Sequence, residues 1–120
     1  MNRAKTSFAP GTPLPDHWFH ILLALADESR HGLGIIQEVA ARTDGRVQVW
    51  PGMLYVALKR MTDEGLVAGT DAPEGFVAGG GRPRFYRITA LGRRTCRAEA
   101  DWHLRLVNAA RSKHVLGKDA

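Results

Sequence analysis

Three stretches of this sequence predict a mainly α-helical fold with a small β-wing and a long C-terminal helix. In the first, Trp50 to Gly65, apolar residues fall at Leu54, Leu58 and Met61, the spacing of one buried helical face. In the second, two β-branched or aromatic runs, Val67 to Thr70 and Phe85 to Thr89, are separated by a long Gly-rich segment. In the third, Ala90 to about Val115 holds no Pro and repeats small or apolar residues near heptad spacing. At 120 residues and 44% hydrophobic, the chain suffices for one modest core.

The composition narrows the function classes. No apolar run approaches the roughly 20 residues that span a bilayer, and Ile21 to Ala26 follows Pro13, Pro15 and Asp16 rather than a basic segment. We therefore expect no signal peptide or anchor and a cytoplasmic location. The single Cys96 excludes an internal disulfide and suits a reducing compartment. The net charge of +5 is uneven: residues 82–120 carry +7 and residues 1–81 carry −2. Such concentration favours a polyanionic partner reached from the C-terminal third.

In chain order, residues 1–14 read as a flexible arm with two readings, disorder with no role or a segment whose Arg3 and Lys5 touch a phosphate backbone. Asp16 is expected to cap a first helix running to Ala26, with Trp18, Ile21, Leu22 and Leu25 inward. His17 and His20 stand i, i+3, but no third ligand is suitably spaced, so solvated histidines are expected rather than a metal site. Asp27 to His31 reads as a polar turn, and Gly32 allows close backbone approach. A second helix from Leu33 to Ala41 would bury Leu33, Ile36, Val39 and Ala40. After the turn Thr43-Asp44-Gly45, the alternating Val47-Gln48-Val49 is expected to form the small first strand of a three-stranded sheet.

Pro51 suits the first turn of the third helix, and Gly65 its left-handed end. Away from its apolar face lie Gly52, Met53, Tyr55, Val56, Lys59 and Arg60, a basic and aromatic set. An apolar inner face, a basic outer face and a strand directly behind read as a recognition helix leading into a wing. Gly79-Gly80-Gly81 invites a phosphate-cradle reading, but no Gly-Lys-Ser/Thr opens a helix there. A wing whose Arg82 and Arg84 touch the sugar-phosphate backbone fits better. Arg87 is ambiguous because alternate strand residues face opposite ways.

Thr89 is expected to cap the last helix, whose narrow stripe comprises Leu91, Ala98, Trp102, Leu106 and Ala109, with Leu116 as an extension. So long a helix cannot bury that stripe against so small a domain, which implies a partner helix, most economically from a second copy. Arg93, Arg94, Arg97, Arg105 and Arg111 decorate the other faces. Trp102 has two readings, a packing anchor of the dimer or one wall of a site for a planar ligand. Cys96 has two as well, a packed small hydrophobe or a redox-sensing thiol beside Arg93 and Arg97.

Together, His31-Gly32, the run Gly52 to Met61, Gly65-Leu66-Val67 and the run Gly81 to Gly92 closely resemble the PadR family of winged helix-turn-helix regulators. The similarity covers about residues 16–115, and the spacing between blocks makes it specific. It implies a homodimeric transcription factor, in most members a repressor, bound to a double-stranded, palindromic operator. The implied parts are a DNA-binding domain over 15–89, a dimerisation helix over 90–116 and a tail over 117–120. The single C-terminal helix is similar to the short subfamily, several members of which sense drugs or other planar aromatic compounds; on that resemblance Trp102 would bind such an effector. Met53 and Val56 stand where the family usually has Thr and Pro, which points to a different operator sequence. Tyr55, Lys59 and Arg60 are the main DNA candidates on the third helix. Tyr55 and Lys59 would hydrogen-bond phosphates, while Gly52, Met53 and Val56 would approach base edges or a thymine methyl. Tyr55 also reads as a half-buried ring bracing the helix. The rival to DNA binding is a winged-helix module that binds protein. An enzyme is not expected, since no nucleophile-base pair, carboxylate pair or cofactor fingerprint is present.

Overall fold

In the computed structural model, residues 13–76 and 83–117 are described. Among them the chain forms α1 (Asp16–Leu25), β1 (Arg30–His31), α2 (Gly32–Arg42), α3 (Pro51–Asp63), β2 (Val67–Thr70), β3 (Phe85–Ile88) and α4 (Ala90–Ser112). The sheet is antiparallel with order β1-β3-β2. Val67 pairs with Ile88 and Thr70 with Phe85, while His31 meets Phe85 from the other side.

α1 buries Trp18, Ile21, Leu22 and Leu25, the stripe its spacing predicts. Asp16 does not cap it. Pro15, in extended backbone, is the N-cap, and its carbonyl accepts from the Trp18 amide at 2.9 Å. Asp16 is instead the first helical residue, where its charge still favours the positive end of the helix dipole. The far end is tied by two arginines, which satisfy carbonyls that helix geometry leaves free. Arg30 donates from Nε to the Ala24 carbonyl at 2.7 Å, and Arg93 from Nη2 to that of Ala26 at 3.0 Å.

Two expectations fail in the next segment. The supposed polar turn ends in a strand, because Arg30 and His31 occupy the edge of β3. Val47 to Val49 is accordingly not a strand. The Thr43 hydroxyl instead accepts from the Val47 amide at 3.1 Å, a local turn, and Val49 enters the core as a loop residue. Alternation here records two loop contacts, not a pleat. In α2 the inward set is Gly32, Ile35 and Val39, whereas Leu33, expected inside, is 55% exposed. One residue of slip rotates a side chain by about 100°, enough to move it out of the core.

α3 buries Leu54, Ala57, Leu58 and Met61. Gly65 follows its C-cap with φ +82°, the left-handed conformation that only Gly takes without strain. Leu66 and Val67 then enter the core with Ile88. Thr89 caps α4 as expected, its Oγ1 accepting from the Gly92 amide at 2.9 Å. The same hydroxyl donates toward the carbonyls of Gly65 (2.6 Å) and Leu66 (3.0 Å), locking α4 to the α3–β2 corner.

α4 is 23 residues long, roughly 35 Å, and ends at Ser112, short of Val115. Its buried residues are Gly92, Thr95, Cys96 and Glu99, all in its first half. From Asp101 to Ala109 every residue is exposed, so the distal half projects from the core. No helix among the described residues is long and apolar enough to cross a membrane.

Candidate nucleic-acid interface

The helical repeat sorts the expected contact residues by angle. With Leu54, Ala57, Leu58 and Met61 inward, the opposite side of α3 carries Gly52, Val56, Lys59 and Asp63. Val56 is 64% exposed, and a Cβ at Gly52 would point into open space. The Lys59 ammonium lies 3.7 Å from the Asp63 carboxylate, a solvated pair of little energetic weight. Asp63 thus places one negative charge on an otherwise neutral or basic face.

Tyr55, Met53 and Arg60 lie on the flanks. Tyr55 is half exposed, but its hydroxyl abuts Gly32 at the first residue of α2, where a Cβ would collide with it. The Arg60 guanidinium sits 5.5 Å over the ring of Trp18, a cation–π contact that holds its orientation. Met53 packs partly against the core. Of the six residues expected to face outward on α3, Gly52, Val56 and Lys59 lie on the outer face.

The sheet supplies the second wall. Arg84 lies across β2 at Gly69, a position where any Cβ would strike its guanidinium. A shallow groove of about 390 Å³ runs between α3 and the sheet, lined by Tyr55, Lys59, Thr62, Gly69, Arg84 and Tyr86. The structure therefore brings Arg84 together with Tyr55 and Lys59. Arg82 and the glycine triplet lie outside the described residues. Arg87 is exposed, one residue beyond the half-buried Tyr86. The base of the wing is held by a cluster absent from the sequence reading. His31 lies 5.2 Å from both Phe76 and Phe85, and those two rings meet edge-to-face at 4.9 Å.

Trp50 and Arg46 were also missed. Trp50 is the N-cap of α3 and is 63% exposed, and Arg46 is exposed in the preceding loop. An apolar ring directly before a helix-starting Pro, with no periodic partner, was the available signal for Trp50.

On α4, Leu91, Trp102, Leu106 and Ala109 are exposed and Ala98 is half-buried. Leu104 and Val107, outside the expected stripe, are exposed too, so the apolar surface wraps the distal half more widely. Trp102, 48% exposed, edges an open recess of about 440 Å³ with Pro13, Ala98, Glu99, Asp101 and Arg105. Beneath it Glu99 pairs with His103 at 3.2 Å, and His103 stacks on Phe19 at 4.9 Å. Burial pushes the Cys96 thiol pKa up, against the opposing pull of Arg42 and Arg93. Cys96 is buried, which fits the reading as a packed small hydrophobe. Burial lowers the pKa values of His17 and His20, with Arg42 adding to the effect on His20. The Arg42 Nη1 lies 3.2 Å from the His20 ring.

Comparison with known proteins agrees with this geometry. Residues 21–98 match the model of the transcriptional regulator PadR-like family. An uncharacterised protein of Lysinibacillus sphaericus is 33% identical over 73 residues, 61% of this chain; the match spans 64% of that relative, less than two thirds of its length. Among solved structures, a transcriptional regulator from Clostridium thermocellum superposes with a TM-score of 0.64 at 22% identity, covering 82% of this chain and 89% of that one. Bacillus subtilis PadR, solved in complex with operator DNA, gives 0.57 at 20% identity, covering 73% of this chain and 46% of its own. At these identities the structural likeness speaks for the fold. The family match spans well over half the chain, and its members are regulators of transcription rather than enzymes: the chain belongs to the PadR-like family of transcriptional regulators.

Proposed function

We propose that the protein is a homodimeric, sequence-specific DNA-binding regulator, acting in the cytoplasm as a repressor that a small aromatic ligand releases. One observation carries the DNA reading. The outer face of α3 presents Gly52, Val56 and Lys59 to solvent, and Arg84 of the wing stands beside Tyr55 and Lys59 across the groove. A convex helix beside a basic ribbon is complementary to a major groove and its flanking phosphates. In support, the family is one of transcriptional regulators, and the Bacillus subtilis relative was solved on operator DNA. In this reading residues 15–89 are the DNA-binding unit, residues 90–116 the dimerisation helix, residues 1–14 an arm and residues 117–120 a tail. Arg82, Arg84 and Lys59 contact phosphates.

Dimerisation rests on the distal half of α4, whose Leu104, Leu106, Val107 and Trp102 stay about half exposed among the described residues. So wide an exposed apolar surface on a small domain marks an association site. Leu106→Glu should convert a dimer to a monomer in light scattering, and a dimer that survives it places the interface elsewhere. A twofold would then set two copies of α3 on palindromic half-sites about one helical turn apart. Fluorescence anisotropy with duplex fragments across a salt series tests the whole. No binding to any duplex at low salt would leave the protein-interaction reading in its place.

The effector reading rests on the half-exposed Trp102 beside a recess that also holds Glu99 and Asp101. Planar aromatic cations should quench tryptophan emission and release DNA, and Trp102→Ala should abolish both responses. Unchanged ligand affinity in that variant would reduce Trp102 to a packing residue.

A further inference from the structure

We infer that α3 reads its half-site chiefly through the 5-methyl groups of thymine, with Trp50 as the outermost reading residue. This rests on the DNA-binding reading above and names how that surface recognises sequence. From Trp50 to Leu58 the chain contains no Arg, Lys, His, Asn, Gln, Asp, Glu, Ser or Thr. The bidentate pairs that distinguish guanine and adenine need Arg, Lys, Asn or Gln, and none stands in the first two turns. Those turns are the part of a recognition helix that meets the base edges. The polar side-chain atoms there are the Tyr55 hydroxyl, which abuts Gly32, and the Trp50 indole nitrogen, a lone donor.

What the helix presents instead is apolar and held in place. The Trp50 carbonyl accepts from the Leu54 amide at 2.8 Å, and Pro51 fixes the backbone that follows. The indole is therefore anchored at its backbone while its side chain stays largely in water. Val56, six residues further on, is equally exposed, and bare Gly52 lies between them. Neither Trp50 nor Val56 belongs to the hydrophobic core among the described residues, and each leaves most of its surface to solvent. Thymine is the base whose major-groove edge offers a methyl group. The charge fits the same partner: from Gly45 to Thr62 there are three basic residues, Arg46, Lys59 and Arg60, and no acidic one.

The test separates recognition of the methyl group from DNA binding itself. A high-affinity duplex is first selected by the full-length protein from a random-sequence pool. It is then resynthesised with deoxyuridine for thymine, either within the half-sites or only in the flanks. Deoxyuridine keeps every hydrogen-bonding group and removes the methyl. Half-site replacement should weaken binding about fourfold for each contacted methyl. Flank replacement should leave affinity unchanged. Trp50→Ala should collapse the thymine-to-deoxyuridine ratio toward one, Trp50→Phe should keep part of it, and thermal melts confirm that both variants fold. Gln48→Ala serves as the comparison, since Gln48 is exposed just before the helix and can read adenine by hydrogen bonding. Equal affinity of the wild type for both duplexes overturns the inference. So does an undiminished ratio in Trp50→Ala, or discrimination lost only with Gln48→Ala. Failure of the protein to enrich any duplex would instead sink the DNA-binding reading, and this inference with it.

Discussion

The hydroxyl of Tyr55 occupies the space where Gly32 would carry a Cβ. This contact joins α3 to the first residue of α2, and it explains a glycine whose backbone is ordinary helix. Gly32→Ala should swing the half-exposed Tyr55 ring outward at little cost to stability, while weakening operator binding through the displaced hydroxyl. In a Tyr55→Ala background the same substitution should be neutral or slightly stabilising, because Ala is the better helix former. Chemical denaturation and anisotropy on the four proteins of this cycle measure the coupling. Strict additivity in both readouts would show that the contact has no consequence.

Gly92 presents the opposite case. A Cβ there would meet the backbone carbonyl of Leu66 and the side chain of Ile88, and a carbonyl inside the α3–β2 corner cannot rotate away. Gly92→Ala is expected to cost about 3 kcal/mol or more. Thr89→Val, which removes the cap hydroxyl, should cost about 0.5–2 kcal/mol. Gly52→Ala, facing open space, should leave stability unchanged or raise it by up to about 1 kcal/mol. Urea midpoints rank the three, and a Gly92→Ala protein as stable as wild type would contradict the packing.

Charge on the outer face divides by sign. Lys59→Ala and Arg84→Ala should each weaken binding to all duplexes alike and reduce the slope of log K against log salt by about 0.9. Asp63→Asn should tighten binding to all duplexes alike, since it removes the one carboxylate on the outer face of α3 and frees Lys59 from its partner. A sequence-dependent effect of any of the three would move that residue from backbone contact to base reading.

Acid should weaken the fold through His17 and His20. Burial holds both below the usual imidazole value, and Arg42 pushes His20 further down. The native state thus binds fewer protons than the unfolded chain, and stability falls as pH drops from about 6.5 through the lowered values. Thermal midpoints should decline between pH 7.5 and 5.5, and His17→Gln with His20→Gln should flatten that decline. An unaltered pH profile in the double variant would assign the acid sensitivity to other groups.

What the sequence determined by itself is local and periodic. The inward stripes of α1 and α3 were legible because apolar residues recur at helical spacing over about two turns in each. The Gly65 terminus and the Thr89 cap follow from backbone chemistry acting within four residues. The short-range signals failed where a distant segment decides. Val47 to Val49 has the alternation of a strand, but β3 has one free edge and Arg30–His31 holds it. Nothing in either stretch states which would arrive there. Leu33 and Ile35 are equally apolar, and the packing of α2 on α1 and α3 selected Ile35.

Among the proposed DNA contacts the division is the same. The candidate residues on α3 and the wing were legible in the sequence. Tertiary packing alone decided that Arg60 lies over Trp18, that Tyr55 abuts Gly32 and that Arg84 crosses Gly69 toward Lys59. A side chain's orientation depends on neighbours brought from elsewhere in the chain, and spacing along one helix carries no record of them.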